Sequence, residues 1–311
     1  MANNPVFLYP SQGSQYIGMG MDLYETYTEA RKVFDQADHY LGFPLSRLCF
    51  EGPEEELNHD LNAQLAVYTV SCALTDILMN HTIFPGAVAG YSSGFYAAAY
   101  AAGCCDFTYG LHLVKKAGEI LLDEGTKFSG SMAVIFGLSP EKVKSICQHV
   151  GNVDVAIVNT PCQIVISGDQ FSVRETMDIS LHEEALDAYP LDVATAYHSM
   201  FMEGSSTRFF KEIDESWLKD PDVSLISYSS LDFLPSRDAV KAIMAEQLRR
   251  PVLWIDVIKK LHDGTNNLFI EVGPGAVLFR TVRWIDRHIE IMVTAKRKNV
   301  VKVIERQKER Q

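Results

Sequence analysis

The sequence is poor in the features of metal sites, secretion and membranes. None of its six cysteines lies at the two-residue spacing from another that is typical of a metal site, and the adjacent Cys104 and Cys105 cannot bridge each other without strain. No apolar signal stretch opens the chain, and no uninterrupted apolar run has the length of a membrane span. These absences predict a cytoplasmic protein with reduced thiols, no metal and no membrane contact.

The chain also lacks the excess of positive charge that nucleic-acid binding needs. Its 40 Asp and Glu outnumber its 28 Lys and Arg and give a net charge of −12. The imbalance is uneven, because the residues from Arg280 onward contain ten Lys or Arg and four Asp or Glu, a net of +6, which leaves −18 for the rest. This basic end fits two interpretations, a docking surface for an acidic partner protein or a solvated helical tail.

The order of predicted elements is that of an α/β protein with an insertion. Short apolar runs such as VFLY and AVAG are followed by Pro, Gly or Ser, as buried strands often are, and long helical patterns separate them. Residues 130–196 differ, because their order is β-α-β-β-α-β, the ferredoxin-like arrangement. We therefore expect residues 1–129 and 197–311 to form one discontinuous α/β domain, and residues 130–196 to form a small α+β subdomain.

A candidate nucleophile lies between a predicted strand and a predicted helix. Gly90-Tyr91-Ser92-Ser93-Gly94 fits the pattern G-x-S-x-G, in which two glycines permit a tight turn that lifts the serine clear of the sheet. The free amides at the start of the following helix would face a developing oxyanion. The alternative is a glycine-rich turn whose serine only caps the helix. In the first interpretation Ser92 supplies the hydroxyl and Ser93 a backbone amide.

His198 is the strongest candidate for the base that a reactive serine needs. It follows the last predicted strand of the small subdomain and begins a helix, at a domain junction, where clefts form. The other eight histidines lie mostly in polar or helical contexts typical of surface or capping roles. An α/β-hydrolase triad requires a well-separated acid before the histidine, but Asp192 is only six residues away and no HGGG-type loop is present. The turn therefore does not fit the triad order of an α/β-hydrolase.

Six segments resemble, in order and rough spacing, the malonyl-CoA:acyl-carrier-protein transacylases and the acyltransferase domains of polyketide synthases. They are PSQGSQYIGMG, GYSSGFYAAAYAAG, VNTPCQIVISG, AYHSM, EQLRRPVLW and IEVGPGAVL. Each segment alone is weak evidence for this family, but the six together are specific for it. The resemblance extends from about Val6 to Trp284. The resemblance implies an α/β hydrolase-like core with a parallel sheet and an inserted ferredoxin-like α+β subdomain, which agrees with the element order.

The resemblance also assigns roles to single residues. It makes Ser92 the nucleophile, His198 its base, and Gln247 the residue whose backbone carbonyl orients the histidine in place of an acid. The family's two oxyanion-hole amides and its cleft asparagine match Gln12, Ser93 and Asn159. A capping role within the backbone is the alternative for Gln247 and for the asparagine.

The implied reaction is a two-step transfer through an acyl ester on Ser92. An acyl-CoA or acyl-phosphopantetheine thioester donates the acyl group, and the phosphopantetheine thiol of an acyl carrier protein receives it. The resemblance implies no permanently bound cofactor. Carrier proteins are acidic, so Arg249, Arg250 and the basic C-terminal end are candidate docking residues. We expect a monomer.

Departures from the family pattern bear on the acyl group. Tyr91 replaces the usual histidine and Phe95 the usual glutamate of GHSxGE, and Ser11 replaces a glycine. Malonyl-specific members carry an arginine, which pairs with the malonyl carboxylate, at the position of Ala117. Because burying an unpaired carboxylate costs several kcal/mol, its loss predicts a preference for uncharged acyl groups. Tyr197, an aromatic residue before the base, instead resembles malonyl-type domains, which restrict branched acyl groups.

Four functions stay open at this point. The leading one is an acyltransferase with an altered, non-malonyl preference. The second is a hydrolase of acyl carrier-protein thioesters, like the proofreading acyl hydrolases of trans-acyltransferase polyketide pathways, because Ser92 and His198 serve transfer and hydrolysis equally. The third is a malonyl-specific transacylase in which Lys115 or Lys116 reaches the pocket. The fourth is a non-catalytic carrier-protein-binding module, which the intact Ser92, His198 and Gln12 argue against.

Overall fold

The computed structural model describes residues 4–193, 195–262 and 268–310. The strands in this part of the chain are β1 (Val6–Tyr9), β2 (Ala87–Gly90), β3 (Gly130–Phe136), β4 (Val153–Thr160), β5 (Gln163–Asp169), β6 (Asp187–Pro190), β7 (Ser224–Ile226), β8 (Phe269–Glu271) and β9 (Ile291–Val293). The α-helices are α1 (Met21–Thr26), α2 (Thr28–Leu41), α3 (Leu45–Glu51), α4 (Glu54–Asn58), α5 (Asp60–Asn80), α6 (Gly94–Ala101), α7 (Phe107–Lys127), α8 (Pro140–Val150), α9 (Gln170–His182), α10 (Glu203–Glu212), α11 (Arg237–Glu246), α12 (Trp254–His262), α13 (Val277–Ile285) and α14 (Arg297–Arg310).

The larger of two sheets is parallel and has the strand order β7-β2-β1-β8-β9. Every residue of β1 and β8 is buried, as is typical of strands in a parallel sheet. Strands β1 and β2 lie side by side, and their last residues, Tyr9 and Gly90, are paired. The segments that follow these two strands, with Gln12 and Ser92, therefore meet at the carboxyl edge of the sheet, where ligands of α/β proteins commonly bind.

Helix α5 is the long apolar helix of the core, and it packs against α2 and α7. Its 21 residues are long and apolar enough to cross a membrane, with a mean hydropathy of 1.2, yet 83% of that apolar window is buried inside the protein. The helix is not an uninterrupted apolar run, because it includes Asp60, Asn62 and Asp76. Its burial is that of a core helix.

The smaller sheet is antiparallel and has the order β4-β5-β3-β6, the ferredoxin-like arrangement. Alternate residues of β3 face opposite ways, as the period of a strand requires. Ala133 and Ile135 pack in a separate core with α8 and α9, whereas Met132 and Val134 belong to the main core. The predicted fold class is confirmed. All four strands lie within residues 130–196, and the exact domain boundaries stay a prediction.

Strand β4 attaches the small sheet to the segment that follows α11. The Val158 amide donates to the Val252 carbonyl at 2.8 Å, and the Val252 amide donates to the Ala156 carbonyl at 2.9 Å. This bridge places the residues just before Val252 beside the small subdomain. It thereby fixes one wall of the cleft between the two sheets.

Candidate active site

Ser92 lies on a sharp turn between β2 and α6. Its φ is +51°, in the left-handed region that non-glycine residues rarely adopt. The two flanking positions leave no room for a side chain. A Cβ at Gly90 would lie 2.2 Å from the Phe95 amide nitrogen, and a Cβ at Gly94 would lie 2.2 Å from the Tyr9 carbonyl oxygen. The turn thus presses α6 closely against the sheet and holds the Ser92 side chain in one place.

The Ser92 hydroxyl meets the imidazole of His198. Ser92 Oγ lies 2.8 Å from His198 Nε2, although the two residues are 106 positions apart in the chain. His198 also has a positive φ, +58°, and its amide donates to the Leu248 carbonyl at 2.9 Å. The residue is 6% exposed. The two side chains that the sequence predicted to act together therefore form a hydrogen-bonded pair, with His198 buried and Ser92 half-buried.

Backbone carbonyls orient the other ring nitrogen of His198. His198 Nδ1 lies 2.9 Å from the carbonyl oxygen of Arg250. The Gln247 carbonyl, which was the one predicted, also acts on the ring, and it accepts from the Tyr228 hydroxyl at 3.3 Å. The chain turns once more after α11, with the amides of Arg249 and Arg250 both donating to the Glu246 carbonyl, and this turn brings the Arg250 carbonyl to the ring as well.

The environment of His198 keeps its imidazole uncharged. Burial lowers the pKa of His198 to about 4, while the carbonyls of Arg250 and Gln247 act in the opposite direction. With Nδ1 donating to a carbonyl, the neutral ring presents an unprotonated Nε2 to the Ser92 hydroxyl. The pair has the geometry of a nucleophile and its base without an acidic third member.

The two predicted oxyanion-hole residues lie beside Ser92. Gln12, in the turn after β1, and Ser93, the residue that precedes α6, both line the same cavity as Ser92 and His198. Amides at a helix start have no acceptor within the helix, so they are free to meet a substrate oxygen. The positions of both residues fit the predicted role.

The cavity has a volume of about 490 Å³ and lies between the small antiparallel sheet and the larger domain. Asn159 of β4 lines it and accepts a hydrogen bond of 2.7 Å from the Tyr91 hydroxyl. Burial raises the pKa of Tyr91 far above neutrality, so this hydroxyl stays a donor. The bond ties the serine turn to the small subdomain. Within residues 4–193, 195–262 and 268–310, no group of three or more His, Cys, Asp or Glu is placed to hold a metal ion.

Comparison with known proteins agrees with this geometry. Residues 6–306 match the model of the acyl transferase domain family. The chain is 36% identical over 307 residues to the malonyl CoA-acyl carrier protein transacylase of Bacillus subtilis, with 97% of each chain covered. The solved transacylase of Coxiella burnetii superposes with a TM-score of 0.93 at 28% identity, covering 98% of both chains. A malonyl-transacylase solved in complex with a type II polyketide synthase acyl-carrier protein gives a TM-score of 0.92 at 27% identity, covering 97% of this chain and 99% of that one.

The chain belongs to the acyl transferase domain family, among the malonyl CoA-acyl carrier protein transacylases and their polyketide counterparts.

The acyltransferase cavity contains no cation among its described lining residues. Ala117, at the position where the resemblance places an arginine, is buried and lines the cavity. Lys115 and Lys116 do not line it, and the Lys116 ammonium pairs with Glu119 at 3.2 Å on the half-exposed side of α7. The structure thus gives neither lysine the position that a substitute for the arginine would need.

Two features of this acyltransferase site were not predicted from the sequence. The first is Asp60, which lines the cavity and accepts a hydrogen bond of 2.6 Å from the Tyr197 hydroxyl. The second is the Arg250 carbonyl, because a backbone acceptor leaves no trace in residue type.

Proposed function

We propose that the chain is a serine acyltransferase that carries an acyl group from a CoA or carrier-protein thioester to a phosphopantetheine thiol through an ester on Ser92. One observation carries the proposal, the 2.8 Å contact of Ser92 Oγ with the uncharged, carbonyl-oriented imidazole of His198. A serine is weakly nucleophilic by itself, and an adjacent base is what activates it.

In the first half-reaction His198 Nε2 takes the Ser92 proton as the oxygen attacks the thioester carbon. The amides of Gln12 and Ser93 stabilise the oxyanion, each contributing about 3 kcal/mol as such donors typically do. The C–S bond then breaks, and the imidazolium returns its proton to the leaving thiolate. In the second half-reaction His198 takes the proton of the incoming thiol, whose sulfur attacks the ester, and Ser92 leaves as the alcohol with that proton.

An acidic carrier protein is the partner that this reaction needs, and a structural neighbour was solved with its own carrier protein. Arg249 and Arg250 follow the cavity residue Leu248 and pair with Glu203 at 3.0 Å and Glu246 at 3.1 Å. Partly exposed pairs of this kind are worth at most about 1 kcal/mol, so an acidic partner can exchange them. Docking at these arginines and at the basic helix α14 should weaken as salt is added.

We further propose a monomer that works in a reducing, cytoplasmic compartment. All six cysteines are free thiols in the structure, and five of them are buried. Thiols persist in the cytosol and become disulfides in secreted proteins.

The acyl group of this enzyme is proposed to be uncharged. A malonyl group would bring a carboxylate into a cavity whose described lining offers no Lys or Arg and presents the half-buried Asp60. An ion without a partner in such a place costs several kcal/mol. An acetyl or longer neutral acyl group avoids that cost.

Intact-protein mass after mixing with acetyl-CoA or malonyl-CoA tests both parts of the proposal. We expect an acetyl adduct that Ser92→Ala abolishes, little malonyl adduct, and a gain of malonyl adduct in Ala117→Arg. An adduct that disappears without carrier protein would favour hydrolysis over transfer. A stable malonyl adduct on the unaltered enzyme would refute the acyl preference, and no adduct from any CoA or carrier-protein donor would refute the transferase itself.

A further inference from the structure

Asp60 and Ala117 lie on two helices that form one wall of the cavity. Asp60 is the first residue of α5, and Ala63 and Gln64, three and four positions later on the same helix face, also line the cavity. On α7 the lining residues are Ala117 and Leu121, again four positions apart. The two helices pack against each other, and α7 passes so close to the first turn of α5 that a Cβ at position 118 would lie 2.5 Å from a methyl carbon of residue 61.

The Asp60 carboxylate is held in place from across the cavity. Its Oδ2 accepts the Tyr197 hydroxyl at 2.6 Å, and Tyr197 directly precedes His198. Burial, followed by the charge of Asp60, raises the pKa of Tyr197 far above neutrality, so the hydroxyl remains the donor. No described Lys or Arg lines the cavity to neutralise that charge.

We propose that Asp60 is a specificity-determining residue, whose fixed negative charge excludes carboxylated acyl groups from the cavity. The inference rests on the proposed function and adds a second cause to the acyl preference. The first cause is the absence of a cation at position 117, which leaves the carboxylate of an acyl group unpaired. The second is Asp60, whose negative charge repels that carboxylate. An arginine introduced at position 117 would have Asp60 as a carboxylate partner on the same wall, so Asp60 also limits what that substitution can gain.

The test is the ratio of kcat/KM for malonyl-CoA to kcat/KM for acetyl-CoA. Asp60→Asn keeps the size and the acceptor for Tyr197 but removes the charge. We expect the ratio to rise about tenfold, with acetyl-CoA use changed by less than about threefold, because repulsion at a partly exposed site is of this order. A purely structural role would lower both values together and leave the ratio unchanged, and an unchanged ratio overturns the proposal.

Asp192→Asn is the matched control. Asp192 also lines the cavity but is exposed, so solvent screens its charge. We expect its ratio to stay within about twofold of the unaltered enzyme, and an equal rise in both variants would assign the effect to overall charge and overturn the role of Asp60.

The double variant Asp60→Asn, Ala117→Arg separates this inference from the proposed function. We expect its malonyl ratio to exceed the product of the two single effects, because the introduced arginine loses its competing partner. A product of independent effects would overturn the pairing of positions 60 and 117. If the unaltered enzyme prefers malonyl-CoA, the proposed acyl preference fails, but the response of the ratio to Asp60→Asn still decides the role of Asp60.

Discussion

Lowering the pH from 7 to 5 should leave the acylation of Ser92 almost unchanged. A histidine with the ordinary pKa of about 6.5 would be about 76% neutral at pH 7 but only about 3% neutral at pH 5, and the reaction would slow about twenty-fivefold. Burial lowers the pKa of His198 to about 4, so the ring is still about 90% neutral at pH 5. The expected acid limb of kcat/KM therefore has its midpoint near pH 4.

The assay is release of free thiol from acetyl-pantetheine between pH 4 and pH 8. This donor carries no phosphate, so it has no group that titrates in the range. Because kcat/KM reports the ionisation of the free enzyme, the acid limb belongs to the base before substrate binds. Circular dichroism at each pH shows that the fold persists. An acid limb centred near pH 6.5 would refute the reasoning, since it would mean that water solvates the imidazole in solution.

The same shift of His198 has a consequence for stability. The unfolded chain binds a proton at this ring below about pH 6.5 and the native protein only below about pH 4, so stability is lost as the pH falls across that window, by up to about 3 kcal/mol. Glu271 has the opposite effect, because burial raises the pKa of its carboxyl to about 7 and stability is lost as the pH rises toward 7. The contribution of His198 is therefore measured as the difference in urea unfolding between the unaltered protein and His198→Gln, and a difference that does not change between pH 7 and pH 4.5 would contradict it.

Three further substitutions probe the turn and its supports. Gly94→Ala should lower the free energy of unfolding by about 3 kcal/mol, because the new Cβ would lie 2.2 Å from the Tyr9 carbonyl oxygen, and urea unfolding with a loss below about 1 kcal/mol would contradict this close approach. Arg250→Ala should leave single-turnover acylation within about twofold, because the backbone carbonyl that orients His198 is retained, and a large loss would assign the role to the side chain. Tyr91→Phe should cost about 1 kcal/mol in urea unfolding, because the Asn159 oxygen loses its donor, and an unchanged midpoint would mean that cavity water replaces the hydroxyl.

The parts of the fold that were predictable from the sequence are those with local causes. The strand before Gly90 and the helix after Gly94 follow from a short apolar run and an alanine-rich run on either side of a turn that only glycines permit. The ferredoxin-like subdomain follows from its element order and from the alternation along β3. In each case the cause lies within about ten residues of the effect, so no knowledge of tertiary packing is needed.

The unpredicted parts of the site depend on contacts between distant segments. The bond from Tyr197 to Asp60 spans 137 positions, and nothing in the residues near Asp60 distinguishes it from a surface carboxylate at a helix start. The contact of the Arg250 carbonyl with His198 depends on the further turn that the chain makes after α11. Motifs identify side chains, and this acceptor is a main-chain atom.

The site combines strained backbone positions, which hold the reacting residues, with ordinary helix faces, which line the acyl cavity. This explains why the G-x-S-x-G motif is informative about the reaction but not about the acyl group. Ser92 and His198 lie at positions with positive φ, +51° and +58°, which the surrounding backbone must enforce. Their neighbours are therefore restricted to the few residues that the turn tolerates. Asp60 and Ala117 are on ordinary helix faces, where a different side chain changes the cavity without disturbing the backbone. Acyl preference can thus diverge at these two positions while the serine, its base and the turn between them stay the same.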